Sequence, residues 1–305
     1  MAQADLFLEH RSLLFGIAYR MLGSVMEAED MVQEAYLRWQ ALGDEEVEKP
    51  RAFLTTVVTR LCIDYLRSAR VRREVYPGPW LPEPVPTARI VRPDDTVAMR
   101  ESLSLAYMLM LERLSPRERA AFLLRELFEY DYDELADILD TSYDNCRQLV
   151  SRARRKLAVD GGVAAPHSER EEELIKQFIG ACIRGEVQSV LELLAPDATI
   201  ISDGGGKVAA ARIPIQGADR VSRFCLRLAD LATPQMKGGF ASLNGQTAFV
   251  IYDAEGRVDT VTLARWDGDT IRELLYVRNP HKLMAVEAAA ERDRALPLQD
   301  WKAEQ

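Results

Sequence analysis

The sequence predicts a multidomain protein in which two all-α domains precede a C-terminal α+β domain. Its length of 305 residues corresponds to two or three folded units of ordinary size. Apolar residues recur with helical spacing through the first 75 residues and again through about 98–157. After about residue 195, apolar and polar residues alternate in short runs between Gly-containing turns, which is typical of strands.

The first domain, residues 1–75, is predicted to form helices over 5–22, 27–42 and 51–70. In the second helix an apolar stripe leaves four side chains facing outward: Asp30, Gln33, Glu34 and Leu37. The predicted buried stripe of the third helix is Leu54, Val57, Val58, Leu61 and Tyr65. The outward set on that helix is Thr55, Thr56, Thr59, Arg60, Asp64 and Arg67.

Residues 76–97 contain six prolines, a density that prevents a long helix and favours an extended linker. The run Trp80-Leu81-Pro82-Glu83-Pro84 lies inside it. A large apolar pair has no use in a purely solvated tether. The sequence leaves open whether Trp80 and Leu81 dock on another domain.

The second all-α domain, residues 98–160, carries two signals for helix starts. Ser115 with Glu118, and Asp131 with Glu134, have capping-box spacing, and Thr141 or Ser142 caps a third helix. Two short helices joined by a tight turn predict a helix-turn-helix. On the last helix an apolar stripe is predicted to be buried, namely Cys146, Leu149, Val150, Ala153 and Leu157.

A second linker, residues 161–168, leads into the α+β domain, residues 169–285. We predict two or three helices packed on a curved sheet of antiparallel strands. The predicted strands are 198–202, 247–252, 258–266 and 270–277. Residues 286–305 are predicted to be a C-terminal tail that begins as a helix.

Charge is segregated along the chain. The net charge of −9 disfavours a nucleic-acid binder on average, but residues 60–73 hold five Arg and one acid. Residues 147–156 hold five bases and no acid, whereas 126–140 hold seven acids and no base. Because salt screens charges beyond about 8–10 Å, phosphates respond to these local basic faces.

Several functional classes have no support in the sequence. No apolar run is long enough to span a membrane and no signal peptide is evident, so we expect a cytoplasmic protein. The four cysteines are far apart in apolar helical contexts, which indicates buried thiols rather than disulfides or a metal site. No cofactor motif is present.

Two segments resemble a known family. Residues 27–39, Glu-Ala-Glu-Asp-Met-Val-Gln-Glu-Ala-Tyr-Leu-Arg-Trp, resemble the polymerase-binding helix in region 2 of extracytoplasmic-function (ECF) RNA polymerase sigma factors. Residues 114–157 resemble their region 4. The rest resembles a sigma-J-like subgroup with a SnoaL-like C-terminal domain, through the 80–84 run, Asp203-Gly204-Gly205-Gly206-Lys207 and Asn279-Pro280-His281-Lys282-Leu283. That subgroup more usually has Asp at the position of His281.

The resemblance implies a region 2 bundle, a region 4 helix-turn-helix and a SnoaL-like cone. It implies that Asp30, Gln33, Glu34 and Leu37 contact core RNA polymerase, an interpretation that suits outward carboxylates around an exposed Leu. It implies contact with the −10 promoter element through Arg60, Asp64, Arg67 and Arg70. For the −35 element it implies Arg147, Gln148, Ser151, Arg152, Arg155 and Lys156. Asn145 remains open as a cap-region hydrogen bonder or another base reader.

The third domain raises the question of catalysis. SnoaL-like enzymes use His and Asp as acid and base, but the chain has only His10, His167 and His281, none in a predicted strand. We therefore expect no catalytic residue. Gly204 to Lys207 lacks the spacing of a P-loop. Our hypothesis is instead an interdomain set that receives the linker: Trp80, Leu81, Pro82, Asp203, Gly204, Gly205, Gly206, Lys207, Asn279, Pro280, Lys282 and Leu283.

The sequence thus predicts a sigma factor whose partners are core RNA polymerase and promoter DNA, regulated in cis by its C-terminal domain and without a membrane partner. Two alternatives stay open. One is a helix-turn-helix regulator that works without polymerase and whose C-terminal pocket senses a small molecule. The other is a fusion enzyme that acts on a hydrophobic ketone or lactone. Whether a small molecule binds the cone pocket is also left open.

Overall fold

A computed structural model of the chain describes residues 3–43, 47–73, 76–90, 96, 99, 102–158, 169–289 and 295–298. The chain divides into two compact units. Unit 1 contains Met1–Val75 and Tyr107–Val163, and unit 2 contains Tyr76–Ala106 and Ala164–Gln305. The predicted 161–168 linker lies outside the described residues.

The helices follow the predicted pattern closely in the first two domains. Their bounds are α1 (Gln3–Leu22), α2 (Val25–Ala41), α3 (Pro50–Arg73), α4 (Thr87–Ile90), α5 (Leu105–Leu111), α6 (Pro116–Glu126), α7 (Tyr132–Leu139), α8 (Tyr143–Ala158), α9 (Glu169–Arg184), α10 (Val187–Glu192), α11 (Ala218–Asp230) and α12 (Pro280–Ala289). Both predicted capping boxes are present, at Ser115 with Glu118 and at Asp131 with Glu134. The turn between α7 and α8 completes the helix-turn-helix.

Unit 1 packs α1, α2 and α3 together with α6, α7 and α8. Buried Arg119 of α6 connects the two groups of helices, because its Nη1 donates to the Met21 carbonyl at 2.6 Å and to Glu112 at 2.7 Å. Burial lowers the pKa of the Arg119 guanidinium to about 9. The carboxylate of Glu112 compensates part of the cost of burying that charge.

The outward face of α3 was predicted wrongly at two positions. Thr55 and Thr59 are fully buried rather than exposed, because α3 packs against α7 and α6 as well as against α1 and α2. The Thr55 hydroxyl lies 2.8 Å from the Tyr130 hydroxyl, and the Arg51 guanidinium lies over the Tyr130 ring. A second buried layer therefore covers the side of α3 that periodicity assigned to solvent.

The Thr55–Tyr130 hydrogen bond gives a stability prediction. Replacing Thr55→Val or Tyr130→Phe alone leaves one buried hydroxyl without its partner, and we expect each to lower the free energy of unfolding by about 1–3 kcal/mol. The double variant should lose less than the sum, because it removes both hydroxyls. Urea unfolding of the four proteins measures this coupling. Additive losses would contradict the bond.

Unit 2 consists of a seven-stranded sheet with α9, α10 and α11 packed against it. The strands are β1 (Leu194–Asp203), β2 (Ile215–Gln216), β3 (Lys237–Leu243), β4 (Gln246–Tyr252), β5 (Val258–Asp267), β6 (Thr270–Val277) and β7 (Leu296–Pro297). Their order in the sheet is β2-β1-β6-β5-β4-β3-β7. Phe178, Val221, Leu274 and Ile271 belong to the core between the helices and the sheet.

The expectation of a purely antiparallel sheet was wrong for β1, which pairs with β6 in parallel. The intervening α11 and β3 to β5 supply the long crossover that parallel neighbours need. Strands β2, β3 and β7 were not predicted. β2 and β7 are two residues long, and Gly238 and Gly239 weaken the strand pattern of β3.

The described residues of the predicted linker and tail include contacts and a strand that the sequence did not predict. Residues 81–85 are buried, Pro86 forms a β-bridge with Leu243, and the chain from residue 76 to 106 belongs to unit 2. We call residues 76–87 the strap. Within the predicted tail, α12 continues to Ala289 and β7 pairs with β3, because buried Leu298 packs into the core.

All four cysteines are free and buried, as predicted. Among the described helices, no segment has the length and apolar character needed to cross a membrane. The described residues also contain no cluster of three His, Cys, Asp or Glu side chains placed to hold a metal ion.

Candidate functional site

One face of α2 presents a mixed acidic and apolar surface. Asp30, Gln33 and Leu37 are exposed, and Leu37 has 51% of its surface accessible. Met26, one turn before Asp30 and 60% exposed, lies on the same face and was not predicted. Glu34 lies beside this face and forms an ion pair with Arg38. We call Met26, Asp30, Gln33 and Leu37 the α2 face.

The opposite side of α2 explains why this face points outward. Val25, Ala28, Val32, Ala35 and Trp39 are buried. The Ser24 side chain caps the helix by accepting from the Glu27 N–H. Two large exposed apolar side chains on one helix face are unusual for a solvated surface and typical of a docking surface.

The residues predicted on α3 do not form one free surface. Arg60 donates from Nε to the Ile138 carbonyl and from Nη2 to the Asp137 carbonyl, each at 3.1 Å. These carbonyls belong to the last turn of α7, where a cation is favoured by the helix dipole. Asp64 and Arg67 are exposed and pair with each other. Arg70 lies in the part of α3 whose side chains the structure does not describe.

Helix α8 presents the predicted basic surface. Its apolar stripe is buried as predicted, with Cys146, Leu149, Val150, Ala153 and Leu157 facing the core of unit 1. The remaining faces are exposed. An open hollow along α8 is lined by Asp144, Arg147, Gln148, Ser151, Arg152 and Arg155. Within the described part of the chain, no acidic side chain pairs with Arg147, Arg152 or Arg155.

Other side chains of the helix-turn-helix fix α8 in place. Lys156 donates to Glu118 at 2.7 Å, which connects α8 to the capping box of α6. Burial raises the pKa of Glu118, but donation from Lys156 and Ser115 outweighs burial, so the pKa lies below its usual value. Asn145 donates to the Thr141 hydroxyl, which supports the turn before α8.

In unit 2 the buried carboxylate of Asp203 organises the first half of the strap. Its Oδ1 accepts from the Tyr76 hydroxyl at 2.6 Å and from the Gly205 N–H at 3.0 Å. Its Oδ2 accepts from the Leu81 N–H at 2.9 Å and from Lys282 Nζ at 2.7 Å. Four donors therefore satisfy a carboxylate that is fully shielded from water.

Lys282 completes this arrangement from the start of α12. Its Nζ also donates to the Leu81 carbonyl and lies over the rings of Trp80, at 4.2 Å, and Tyr76, at 5.2 Å. Cation–π contacts are strongest when the cation is desolvated. Burial, and then donation to Asp203, raises the pKa of Tyr76. We call Asp203 and Lys282 the strap pair.

The glycine run after Asp203 allows the strap to approach. Gly205 and Gly206 have φ of +60° and +69°, a region that side chains with a Cβ rarely adopt. A Cβ at Gly205 would overlap the Asn279 amide, and one at Gly206 would lie 2.7 Å from the Pro77 ring. The Lys207 side chain is exposed, and among the described residues it forms no hydrogen bond or ion pair with the strap.

The predicted Asn279–Leu283 segment lies at the same site. Asn279 donates from Nδ2 to the Tyr76 hydroxyl at 2.9 Å and from its backbone N–H to the Asp203 carbonyl. Leu283 is buried, whereas Pro280 and His281 are exposed. Trp80 is half-buried, and Leu81 and Pro82 are buried. Of the predicted interdomain residues, the structure brings together Trp80, Leu81, Asp203, Gly205, Gly206, Asn279 and Lys282, whereas Lys207 and Pro280 are exposed.

Sequence reasoning missed a second anchor at Asn244. This fully buried residue accepts from the Val85 N–H through Oδ1 at 2.7 Å and donates to the Leu103 carbonyl through Nδ2 at 2.9 Å. Its backbone N–H donates to the Val85 carbonyl. The signal was the Asn244-Gly245 dipeptide between two apolar runs, which is typical of a tight hairpin turn.

The fold and these surfaces define a DNA-binding class of protein, because a helix-turn-helix exposes a row of arginines on its second helix. Two family models match the chain, Sigma-70 region 2 over residues 6–72 and Sigma-70 region 4 over residues 104–157. Both matches fall on the helices of unit 1 or immediately before them.

Similar proteins that are known sigma factors match a larger part of the chain than the two family models do. The ECF RNA polymerase sigma factor SigJ of Mycobacterium tuberculosis is 40% identical over 240 residues, which cover 77% of each chain. The probable ECF sigma factor SigI of the same species is 34% identical over 226 residues, 72% of this chain and 74% of the relative. The crystal structure of SigJ superimposes with a TM-score of 0.73 at 32% identity, covering 92% of this chain and 98% of that one.

The chain belongs to the ECF RNA polymerase sigma factors, a family that directs transcription initiation. The resemblance identified from the sequence is thereby confirmed. The predicted fold class is confirmed too, since the structural match extends over the two sigma domains and the C-terminal sheet.

Proposed function

We propose that this chain binds core RNA polymerase through the α2 face together with the neighbouring Glu34, and that it directs the polymerase to promoters by recognising a −10 and a −35 element. The observation that carries the proposal is the exposed basic surface on α8, within the segment that matches Sigma-70 region 4. Nucleotide addition is left to the polymerase. Such a protein works at the chromosome, and we propose a cytoplasmic location on that basis.

On α8 the exposed side chains fall into two roles. Arg147, Gln148, Ser151 and Arg152 carry the forked or amide donors and the hydroxyl that read base edges in a major groove. Arg155 and Lys156, nearer the end of the helix, suit contacts to phosphates. Lys156 keeps its bond to Glu118 while about half of its side chain remains exposed.

The α8 surface gives the first functional prediction. Arg152→Ala should weaken binding of the holoenzyme to a −35 duplex by about 1–3 kcal/mol and relax base preference at one position. Arg155→Ala should weaken all sequences equally and lower the salt dependence by about one phosphate contact. Titrations of labelled duplexes at several salt concentrations separate the two effects.

The matched control for these variants is Arg257→Ala, which removes an exposed arginine from a hairpin of unit 2. It should leave duplex affinity and the salt slope unchanged. If Arg152→Ala behaves like this control, α8 does not read DNA.

The −10 role proposed for α3 requires a rearrangement within unit 1. Arg60 donates to the end of α7, and Thr55 and Thr59 of the same helix are buried. These bonds use the Nε–H and an Nη2–H of Arg60 and hold its guanidinium against α7, so these N–H groups are available to a displaced DNA strand only after Arg60 leaves α7. We propose that unit 1 opens when polymerase and promoter bind, which frees Arg60 to join Asp64, Arg67 and Arg70.

We further propose that unit 2 regulates this opening in cis through the strap. The segment from residue 76 to 106 connects α3 to the region 4 helices, and unit 2 binds it at the strap pair and at Asn244. A released tether of about 30 residues could extend to roughly 100 Å, whereas a bound one cannot. Binding of the strap would therefore limit how far regions 2 and 4 separate.

Co-purification with core polymerase tests the proposal against the alternative of a regulator that works alone. The full chain should form a stoichiometric complex with core enzyme and gain promoter specificity in it. A chain that binds specific duplexes equally well without polymerase would instead be a one-component regulator.

A further inference from the structure

The first turn of α8 carries a carboxylate on the face that we propose binds DNA. Asp144 is exposed and lines the open hollow of α8 together with three arginines, Gln148 and Ser151. Asp144, Gln148 and Ser151 follow one another at spacings of four and three residues, so their side chains share one stripe of the helix. A carboxylate therefore lies in a hollow whose other charged lining residues are arginines.

No contact inside the described part of the protein accounts for this carboxylate. Asp144 has no hydrogen bond or ion pair with another described side chain. Arg147 lies three residues further on, a spacing at which opposite charges often pair on a helix, yet the two do not pair among the described residues. The start of α8 is capped without Asp144, because the Ser142 hydroxyl accepts from the Asn145 N–H.

The position of Asp144 along α8 suits a base edge rather than a phosphate. In a helix-turn-helix, the N-terminal residues of the second helix contact base edges in the major groove. Asp144 lies in the first turn of α8, whereas Arg155 and Lys156 lie in the last turn. A carboxylate placed against a phosphate meets a like charge and loses water without gaining a hydrogen bond. Against a base edge it can accept one.

The chemistry of a carboxylate limits the bases that it can contact, because an ionised carboxylate only accepts hydrogen bonds. In the major groove, guanine presents two acceptors and thymine presents the O4 acceptor. Adenine presents its amino donor beside the N7 acceptor, whereas cytosine presents its N4 amino donor without a neighbouring acceptor. A carboxylate is therefore repelled by guanine and thymine and pairs best with cytosine.

We propose that Asp144 accepts a hydrogen bond from the N4 amino group of one cytosine in the −35 element and sets the base preference at that position. The inference rests on the −35 recognition proposed for α8. Specificity then comes from repulsion of the wrong bases as well as from attraction of the right one. The arginines of the hollow supply affinity, and Asp144 supplies discrimination.

The base preference of the holoenzyme tests this role. Binding to duplexes randomised over the −35 element gives the preference at every position. For the unmodified chain we expect one position at which cytosine is preferred over guanine and thymine by at least about fivefold. Asp144→Ala should abolish that preference and leave the preferences at other positions unchanged. Asp144→Asn should move it to adenine, because an amide pairs with the adenine amino group and N7.

The matched control is Asp133→Asn. Asp133 is exposed, lies in the first turn of α7 and also follows a tyrosine, as Asp144 does in α8. Both carboxylates therefore interact in the same way with the dipole of their helix. Asp133→Asn should leave every base preference unchanged. If it alters the same preference as Asp144→Asn, the effect belongs to the helix and the proposal fails.

A base analogue tests the contact at a single chemical group. The analogue 2-pyrimidinone is cytosine without its N4 amino group. In place of the preferred cytosine, it should weaken binding of the unmodified holoenzyme by at least about fivefold and that of the Asp144→Ala holoenzyme much less. Equal weakening of the two holoenzymes would show that Asp144 does not contact the amino group, and would overturn the proposal.

The outcomes separate this inference from the function on which it rests. If both Asp144 variants keep the preferences of the unmodified chain while Arg152→Ala changes them, α8 reads the −35 element and Asp144 does not. A preference for any base other than cytosine at the position that responds to Asp144→Ala would also overturn the inference. Absence of any base preference in the unmodified holoenzyme would overturn the −35 recognition itself, and the role of Asp144 with it.

Discussion

Replacing Asp203→Ala is expected to lower the free energy of unfolding of unit 2 by about 3–5 kcal/mol. The substitution leaves the buried Lys282 ammonium without its carboxylate, and removing one member of a buried ion pair carries a cost of this size. The Tyr76 hydroxyl and the Leu81 and Gly205 N–H groups lose an acceptor as well. Urea unfolding of the full chain, with amide exchange in β6 to report on unit 2, measures the loss.

Two further variants distinguish a buried pair from a general effect of removing a carboxylate. Asp269→Ala breaks an exposed pair with Arg170 and should leave the stability of unit 2 nearly unchanged. Asp203→Asn combined with Lys282→Met removes both charges and should recover part of the loss. If Asp203→Ala is no more destabilising than Asp269→Ala, the strap pair is not a buried ion pair in solution.

The Asp203→Ala variant also tests the regulatory role of the strap. With the strap pair broken, amide exchange at Leu81 should accelerate, because its N–H donates directly to Asp203. Transcription by the holoenzyme should change in the same variant if the strap limits the separation of regions 2 and 4. Faster amide exchange at Leu81 with unchanged transcription would support the contacts of the strap site but would show that the strap does not regulate transcription.

Leu37→Asp is expected to weaken binding to core polymerase at least 30-fold. The Leu37 side chain is half exposed at the C-terminal end of the α2 face, and truncating an apolar anchor of an interface typically costs about 2 kcal/mol or more, which is about 30-fold in affinity. Placing a carboxylate there adds a desolvation cost to the lost apolar contact. Competition for core polymerase against the unmodified chain measures the change.

Ile213→Asp is the matched control, since Ile213 is 75% exposed in unit 2 and undergoes the same change. It should leave polymerase affinity within about twofold. Met26 lies one helical turn before Asp30 on the α2 face. Met26→Asp should therefore also weaken binding to core polymerase. Equal affinities for Leu37→Asp and Ile213→Asp would show that polymerase does not bind the α2 face.

Local signals predicted the helices of unit 1 well because capping and periodicity act within a few residues. Ser115 and Asp131 start α6 and α7 as their capping boxes indicated, and the buried stripe of α8 matches its wheel. The exposed residues of α8 followed directly from that stripe. The same reasoning placed Asp30, Gln33 and Leu37 outside the core.

Features that depend on distant parts of the chain were not predictable in this way. Thr55 and Thr59 are buried because α7 and α6 cover α3, which the periodicity of α3 alone cannot indicate. The parallel pairing of β1 with β6 depends on the crossover between them. Asp203 and Asn244 bind Tyr76 and Val85 of the strap across more than one hundred residues of sequence. The linker motif indicated docking, but not the partner atoms.

In vitro transcription with purified core RNA polymerase tests the central claim most directly. Templates carrying selected promoter sequences are transcribed by core enzyme alone, and by core enzyme with the 305-residue chain or its Leu37→Asp variant. The account predicts that the unmodified chain directs initiation at a defined start site, and that core enzyme alone and the variant do not. Failure of the chain to direct initiation at any selected promoter, or equal activity of the variant, would contradict it.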